Sequence, residues 1–404
     1  MSAQITQELQ AFGFAKVIVV LKSDASNASA SSIKAGIEKH FVVSEYSQTA
    51  SLAASLDLKT ANPAFRYYPN LGVALGTVNR ESLASLRADK DFVGSVSGAP
   101  QISLIRPAMV ANAASSQKKN WGIESLKVKQ VWDAGFTGKG IFVGHLDTGV
   151  DGSHPALKNA IASFARFDAL GREEKPAPKA KDSDEHGTHT AATIAGRTAS
   201  GVEIGIAPEA MLASAEVIEG GDVVARVLGG MDWAVGKGIK VLSMSLGLRG
   251  WWQDFLPLTR LLRARNILPV FAVGNEFAGT SRSPGNYAQA LSVGAYDKNI
   301  QMADFSCSQR FNRKRDPLVP DLVAPGVDIL SARPGGGYQL MSGTSMATPH
   351  IAGLAALLWQ AKPHATVSQI EKAIFASCTL PANMSMERGN RGVPDAVKAL
   401  AALL

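Results

Sequence analysis

The sequence predicts an α/β protein: a doubly wound, mostly parallel sheet preceded by a small ferredoxin-like α+β domain. Three observations lead there. From Trp121 onward, short β-branched runs alternate with helical patterns, the arrangement in which crossover helices build a parallel sheet. Residues 15–105 instead follow the order βαββαβ, which is that of a ferredoxin-like plait. Between the two lie residues 107–120 (PAMVANAASSQKKN), small and polar without periodicity, and these read as an exposed, easily cut linker. At 404 residues the chain is too long for one ordinary domain and suits two, one of them large.

In the smaller unit, 15–22 is a β-branched run suited to a strand. Residues 29–41 carry Ile33, Ile37 and Phe41 at helical spacing. Strands are expected over 42–48 and 71–78. A capped helix is expected over 79–89, with Glu81 in its first turn. Residues 92–105 close the unit with strand character. In the larger unit, strands are expected at 141–146, 211–217, 241–245, 268–273 and 290–294, with helices near 187–196, 222–236 and 254–265. A long helix should run over 344–360 from a glycine-rich turn, followed by helices near 367–378 and 393–404.

Composition excludes several classes. Net charge is +7, but the basic residues are dispersed and Arg313-Lys314-Arg315 is the densest cluster. No basic strip interleaved with aromatics suggests nucleic-acid binding. The cysteines, Cys307 and Cys378, lie in no CxxC or metal-ligand spacing and read as two small buried thiols. No stretch is long and apolar enough to span a bilayer. The first residues show no basic and apolar leader, so the expectation is a cytoplasmic protein without a membrane partner, with non-standard export left open.

Three motifs carry chemistry. Gly144-His145-Leu146-Asp147-Thr148-Gly149 ends an expected strand, where a buried carboxylate can orient an imidazole and stabilise its charged form. Asp-Thr-Gly also occurs in aspartic peptidases, but no second DTG or DSG is present. His186-Gly187-Thr188-His189 follows a polar stretch and opens a helix. Metal binding by His186 and His189 is the rival reading, though no HExxH accompanies them. In Ser342-Gly343-Thr344-Ser345-Met346-Ala347-Thr348-Pro349-His350, a sharp turn delivers Ser345 into the first turn of a helix. Its hydroxyl would be exposed there, and its amide and the helix dipole would favour a developing oxyanion. Asn275, in Ala272-Val273-Gly274-Asn275-Glu276, could donate to the same oxyanion.

Together these residues resemble the subtilisin-like serine peptidases, over essentially all of 121–404. The order Asp, His, Ser matches subtilisin and differs from the chymotrypsin-like and α/β-hydrolase orders. Trp121-Gly122-Ile123, the stretch Trp132 to Gly140, Gly205-Ile206-Ala207-Pro208, Met244-Ser245-Leu246-Gly247 and Pro320-Asp321-Leu322-Val323-Ala324-Pro325-Gly326 fit as well. The resemblance implies a triad of Asp147, His186 and Ser345, and an oxyanion hole of Asn275 and the Ser345 amide. It also implies a substrate strand on Ser245, Leu246 and Gly247, with peptides or proteins as substrates. Residues 1–106 are similar, more weakly, to the family's propeptides, which are folding chaperones and inhibitors; the alternative is an unrelated accessory domain. The expected organisation is therefore an inhibitory domain over 1–106, a linker over 107–120 holding the autoprocessing site, and a catalytic domain over 121–404.

Departures from the family bear on detail. The stretch between Gly196 and Gly205 is short and poor in Asn and Asp, so the strong calcium loop is missing and no cofactor is assigned, though structural calcium stays possible. His145 stands where the family usually has an aliphatic residue and reads as a satisfied core histidine. Arg282 falls at the pocket floor, where it either reaches the pocket and favours acidic or polar P1 side chains, or is a solvated loop arginine. Two other functions stay open. One is a peptide-maturation or cyclising peptidase of the same fold. The other is a catalytically silent, propeptide-bound binding protein.

Overall fold

The computed structural model describes residues 3–22, 30–42, 65–218 and 220–404. Seven parallel strands form the central sheet in the order Leu322–Pro325, Leu291–Tyr296, Leu268–Ala272, Val241–Met244, Phe142–Asp147, Met211–Glu216, Ile161–Arg166. Strand residues alternate between two helical layers. Val143, Val241 and Val270 face a core with the helices His186–Ala195, Thr344–Ala361, Val367–Ser377 and Ala396–Leu403. Leu146, Leu242 and Phe271 face the other way, toward Val223–Gly236 and Leu256–Ala264. The period of two along each strand sets this division.

The helix Thr344–Ala361 runs through the centre, with every residue from Thr344 to Trp359 buried. A helix enclosed on all sides has no polar stripe, which is why Ile351 to Leu358 is small and apolar throughout, the polar Thr344, Ser345, Thr348 and His350 lying in its first turns. Capping follows local chemistry. Asp222 accepts from the Ala225 amide at the start of Val223–Gly236, and Thr366 and Gln369 form a reciprocal capping box.

The smaller unit is a four-stranded antiparallel sheet in the order Phe65–Tyr68, Val73–Val78, Ala15–Leu21, Val93–Gly98. Val17, Val19 and Leu21 pack against its own helices with Ile5, Leu9, Ile33 and Ile37. Ile18 and Val20 point oppositely and join Leu71, Val73 and Leu75 against Val227, Leu228 and Leu262 of the larger unit. A strand buried on both faces needs a continuous apolar run, and AKVIVVL supplies one. Polar contacts fix the docking: Asp232 accepts from the Leu71 amide (2.8 Å), Asp254 from the Gly98 amide (2.7 Å), and Lys16 pairs with Asp222.

Several expectations need adjusting. The central strands and all the long helices fall within a few residues of their expected positions. The two edge strands, Ile161–Arg166 and Leu322–Pro325, were not anticipated, nor was the helix Ala3–Phe12. Each has a weak signal: Ile161–Arg166 is half exposed, Leu322–Pro325 has four residues, and Ala3–Phe12 buries Ile5 and Leu9 alone. The strand expected over 42–48 lies outside the described residues beyond Val42. The strand expected over 92–105 divides, its second part Ser103–Leu104 joining the larger unit. Residues 107–120 are not an irregular linker throughout, because Met109–Asn112 pairs antiparallel with Tyr338–Ser342. Cys307 and Cys378 are free thiols.

Leu354, fully buried on the central helix, should matter to stability far more than an exposed residue of similar chemistry. Leu354→Ala is expected to cost about 2–5 kcal/mol, and Val397→Ala, at a half-exposed position, under about 0.5 kcal/mol. Denaturant midpoints of the two variants check the contrast.

Candidate active site

Asp147 ends the strand Phe142–Asp147 at the sheet's carboxyl edge, and His186 opens the helix His186–Ala195. Two glycines let these ends meet. A Cβ on Gly187 would lie 2.1 Å from the Gly149 carbonyl oxygen, and one on Gly149, whose φ is +116°, would lie 2.3 Å from the Lys181 carbonyl oxygen. Backbone atoms cannot yield to such contacts, so both positions require glycine. Thr148 then ties the pieces, accepting from the Gly187 amide (2.9 Å) and donating to Asp182 (2.6 Å).

Within this frame His186 Nδ1 donates to Asp147 Oδ1 at 2.7 Å, and the Thr148 amide donates to the same oxygen at 2.8 Å. Both side chains are almost wholly buried. Burial alone would raise the Asp147 pKa, but the charge and hydrogen bond of His186 outweigh it and hold the carboxyl below its ordinary value. For His186 burial works downward, yet Asp147, with Asp182 and Asp184 behind it, carries the imidazole above 6.5. His189 does not share in this. Its Nε2 donates to the Ile329 carbonyl (2.9 Å), and burial pushes its pKa down to about 3.

Ser345 is the second residue of the helix Thr344–Ala361, so its amide is among the donors that a helix start leaves unpaired. Asn275 is oriented by the same helix. Its Oδ1 accepts from the Thr344 amide and hydroxyl, both at 2.9 Å, which turns Nδ2 outward to donate to the Arg106 carbonyl at 2.8 Å.

The protein's own chain crosses the site. Ser103 and Leu104 pair antiparallel with Gly247 and Leu246, and the Ile105 amide donates to the Ser245 carbonyl at 2.9 Å. The Ser345 hydroxyl donates to the Ile105 carbonyl oxygen at 2.6 Å. Beyond it the Ala108 amide donates to the Ser342 carbonyl (2.7 Å) and Met109–Asn112 continues as a strand. Among the described residues His186 Nε2 has no hydrogen-bond partner. The carbonyl held at the serine thus lies upstream of 107–120, where the cut was expected.

Arg282 is buried rather than a solvated loop residue. Its Nε lies 3.0 Å from Glu276 Oε1, and its Nη1 donates to Ser103 Oγ and the Gly247 carbonyl, both at 3.1 Å. The guanidinium therefore reaches the pocket wall already neutralised by Glu276. Sequence reasoning missed Glu276 as its partner, along with Thr148, Asp182 and Thr190. The run of acids Asp182, Asp184 and Glu185 just before His186 was the one available signal for Asp182.

Residues 138–394 match the subtilase family model (Peptidase_S8). M-protease of Shouchella clausii (strain KSM-K16) is 35% identical over 267 residues, which cover 65% of this chain and 66% of that protein. Subtilisin Savinase of Lederbergia lenta is 35% identical, over 65% of this chain and 93% of its own. Subtilisin E of Bacillus subtilis (strain 168) is 28% identical over 381 residues, covering 92% of this chain and 93% of its own. The chain belongs to the subtilase family, whose members are subtilisin-like serine peptidases and so hydrolases.

Two outcomes are expected. A histidine serving as general base works only when neutral, so with His186 in that role kcat/KM should fall as pH drops through its raised pKa, giving an acidic limb above 6.5; a pH–rate profile measures it. Asn275→Ala should lower kcat about 10²–10³-fold with little change in KM, a magnitude that comes from subtilisin itself rather than from this chain.

Proposed function

We propose that this protein is a serine endopeptidase acting through Asp147, His186 and Ser345, made as a precursor whose N-terminal domain inhibits and is then cut by the same site. One observation carries the reading: an extended segment of the chain lies along Ser245, Leu246 and Gly247 with the Ile105 carbonyl 2.6 Å from the Ser345 hydroxyl. Strand pairing of this kind recognises any extended peptide by its backbone.

In the reaction the Ser345 hydroxyl turns from the Ile105 carbonyl oxygen to His186 Nε2, which has no partner among the described residues and takes its proton as Oγ bonds to the peptide carbonyl carbon. The carbonyl electron pair moves to oxygen, which is stabilised by the Ser345 N–H and by the Asn275 amide once Nδ2 shifts from the neighbouring Arg106 carbonyl it holds here. As the tetrahedral species collapses, the C–N bond breaks and His186 gives its proton to the leaving amine. Water then repeats the sequence on the acyl-enzyme. Asp147 holds the tautomer and stabilises the imidazolium without itself being protonated.

Register selects the bond. Ile105, whose amide pairs with Ser245, presents the carbonyl beside the nucleophile, so processing falls between Ile105 and Arg106. The next bond, Arg106–Pro107, would need a proton delivered to a prolyl nitrogen crowded by its ring. An apolar residue at P1 is favoured, since Ile105 occupies that place and Glu276 already satisfies Arg282. The inhibitory role of residues 1–105 rests on their large apolar contact with the helices Val223–Gly236 and Leu256–Ala264.

Purified protein should show a mature form beginning at Arg106 by intact mass. Ser345→Ala should remain folded and full-length, and lose peptide hydrolysis by about 10⁴–10⁶-fold, again a magnitude from subtilisin. Full turnover by that variant refutes the assignment, and a mature terminus elsewhere refutes the register.

A further inference from the structure

His145 stands two residues before Asp147 on the same strand, so both side chains point toward the helix His186–Ala195. On that helix Thr190 lies one turn after His186, on the same face. The two pairs meet. Thr190 Oγ1 donates to Asp147 Oδ2 at 3.2 Å, and His145 Nε2 lies 2.9 Å from Thr190 Oγ1. His145 Nδ1 lies 2.9 Å from Ser214 Oγ, and Ser214 is its register partner on the neighbouring strand. All these side chains are buried.

The proton positions follow from electrostatics. His145 Nε2 lies 3.8 Å from Asp147 Oδ2, and a ring nitrogen facing a carboxylate is favoured with its proton on. Nε2–H then donates to Thr190, and Ser214 donates to Nδ1. Thr190 has one proton and three acceptors in reach, Asp147 Oδ2 and the His186 and Gly187 carbonyls at 3.2 and 3.1 Å. A donor on its lone pair polarises the hydroxyl and strengthens what it gives onward. Burial keeps this imidazole neutral, its pKa pushed down to about 4.

We propose that His145, acting through the Thr190 hydroxyl, is a positioning residue for Asp147, so that one hydrogen-bond chain runs Ser214–His145–Thr190–Asp147–His186. The main-chain and imidazole donors on Oδ1 hold one carboxylate oxygen, and this branch holds the other. The inference deepens the peptidase reading and rests on it for its kinetic arm. The ionisable groups facing the chain are Asp147 and His186, with Asp182 and Asp184 beyond them; Ser214 and Thr190 do not titrate.

The test compares Thr190→Val, Thr190→Ser and the paired His145→Val/Ser214→Ala, which leaves no buried hydroxyl unpartnered. Losing the donor on Oδ2 concentrates the carboxylate charge on His186. Its pKa should therefore rise by about 0.5–1 unit, one ordinary hydrogen bond, moving the acidic limb of kcat/KM upward. kcat should fall about 5–10-fold at unchanged KM. Thr190→Ser should behave as the parent, and combining Thr190→Val with the pair should add nothing further. Proton NMR of the His186 Nδ1–H across pH reads the same shift without turnover. If the parent protein hydrolyses no peptide, the peptidase reading falls while the NMR comparison still decides the coupling. An unshifted His186 in the His145→Val/Ser214→Ala variant overturns the proposal, as does a ¹⁵N spectrum placing the His145 proton on Nδ1.

Discussion

A carboxylate and an imidazole taken out of water are each costly, and the cost is met only where each is the other's partner. Asp147 and His186 are in that position, at the carboxyl edge of a parallel sheet where strand ends and helix starts converge. Much of the surrounding structure serves their approach. Gly149 and Gly187 remove side chains from a backbone contact that tolerates none, and Thr148 and Asp182 lash the strand end to the helix start. The helix Thr344–Ala361 then brings Ser345 to the same edge from the other side of the site.

The chain crossing the site gives the cleft its physical meaning. Leu246–Arg249 is sandwiched between Arg282–Ser283 on one side and residues 103–104 on the other. An open sheet edge is a template for any extended segment, and here the protein's own segment occupies it. The small domain is anchored by a strand whose alternate residues belong to different cores: Val17 and Val19 to its own, Ile18 and Val20 to the shared one. Lys16, at the start of that strand, meets Asp222, the residue that caps a helix of the larger unit.

At the pocket wall, Glu276 and Arg282 illustrate why residue type alone misleads. An arginine at a pocket floor suggests attraction for acidic side chains. Paired with a half-buried carboxylate and spending its remaining donor on Ser103 and Gly247, it acts instead as a neutral brace. The same holds for His145, an ionisable residue that burial keeps uncharged.

Much of this was legible in one dimension because the chemistry sits at points of strict local geometry. A turn that admits only glycine, a strand ending in a carboxylate and a helix opening on a hydroxyl leave short, specific patterns, so the strand end at Asp147, the helix starts carrying His186 and Ser345 and the central strands could be placed from residues alone. The edge strands left no such pattern: Ile161–Arg166 is only partly buried, and Leu322–Pro325, though buried, has four residues. Long-range facts were also beyond it: that Glu276 neutralises Arg282, that Thr190 and Ser214 bracket His145, that Ile105 rather than a later residue faces Ser345. These contacts join positions up to 240 residues apart. Their energies depend on distances that only the packed chain defines, because a hydrogen bond or an ion pair is a property of two groups in place and not of either one alone.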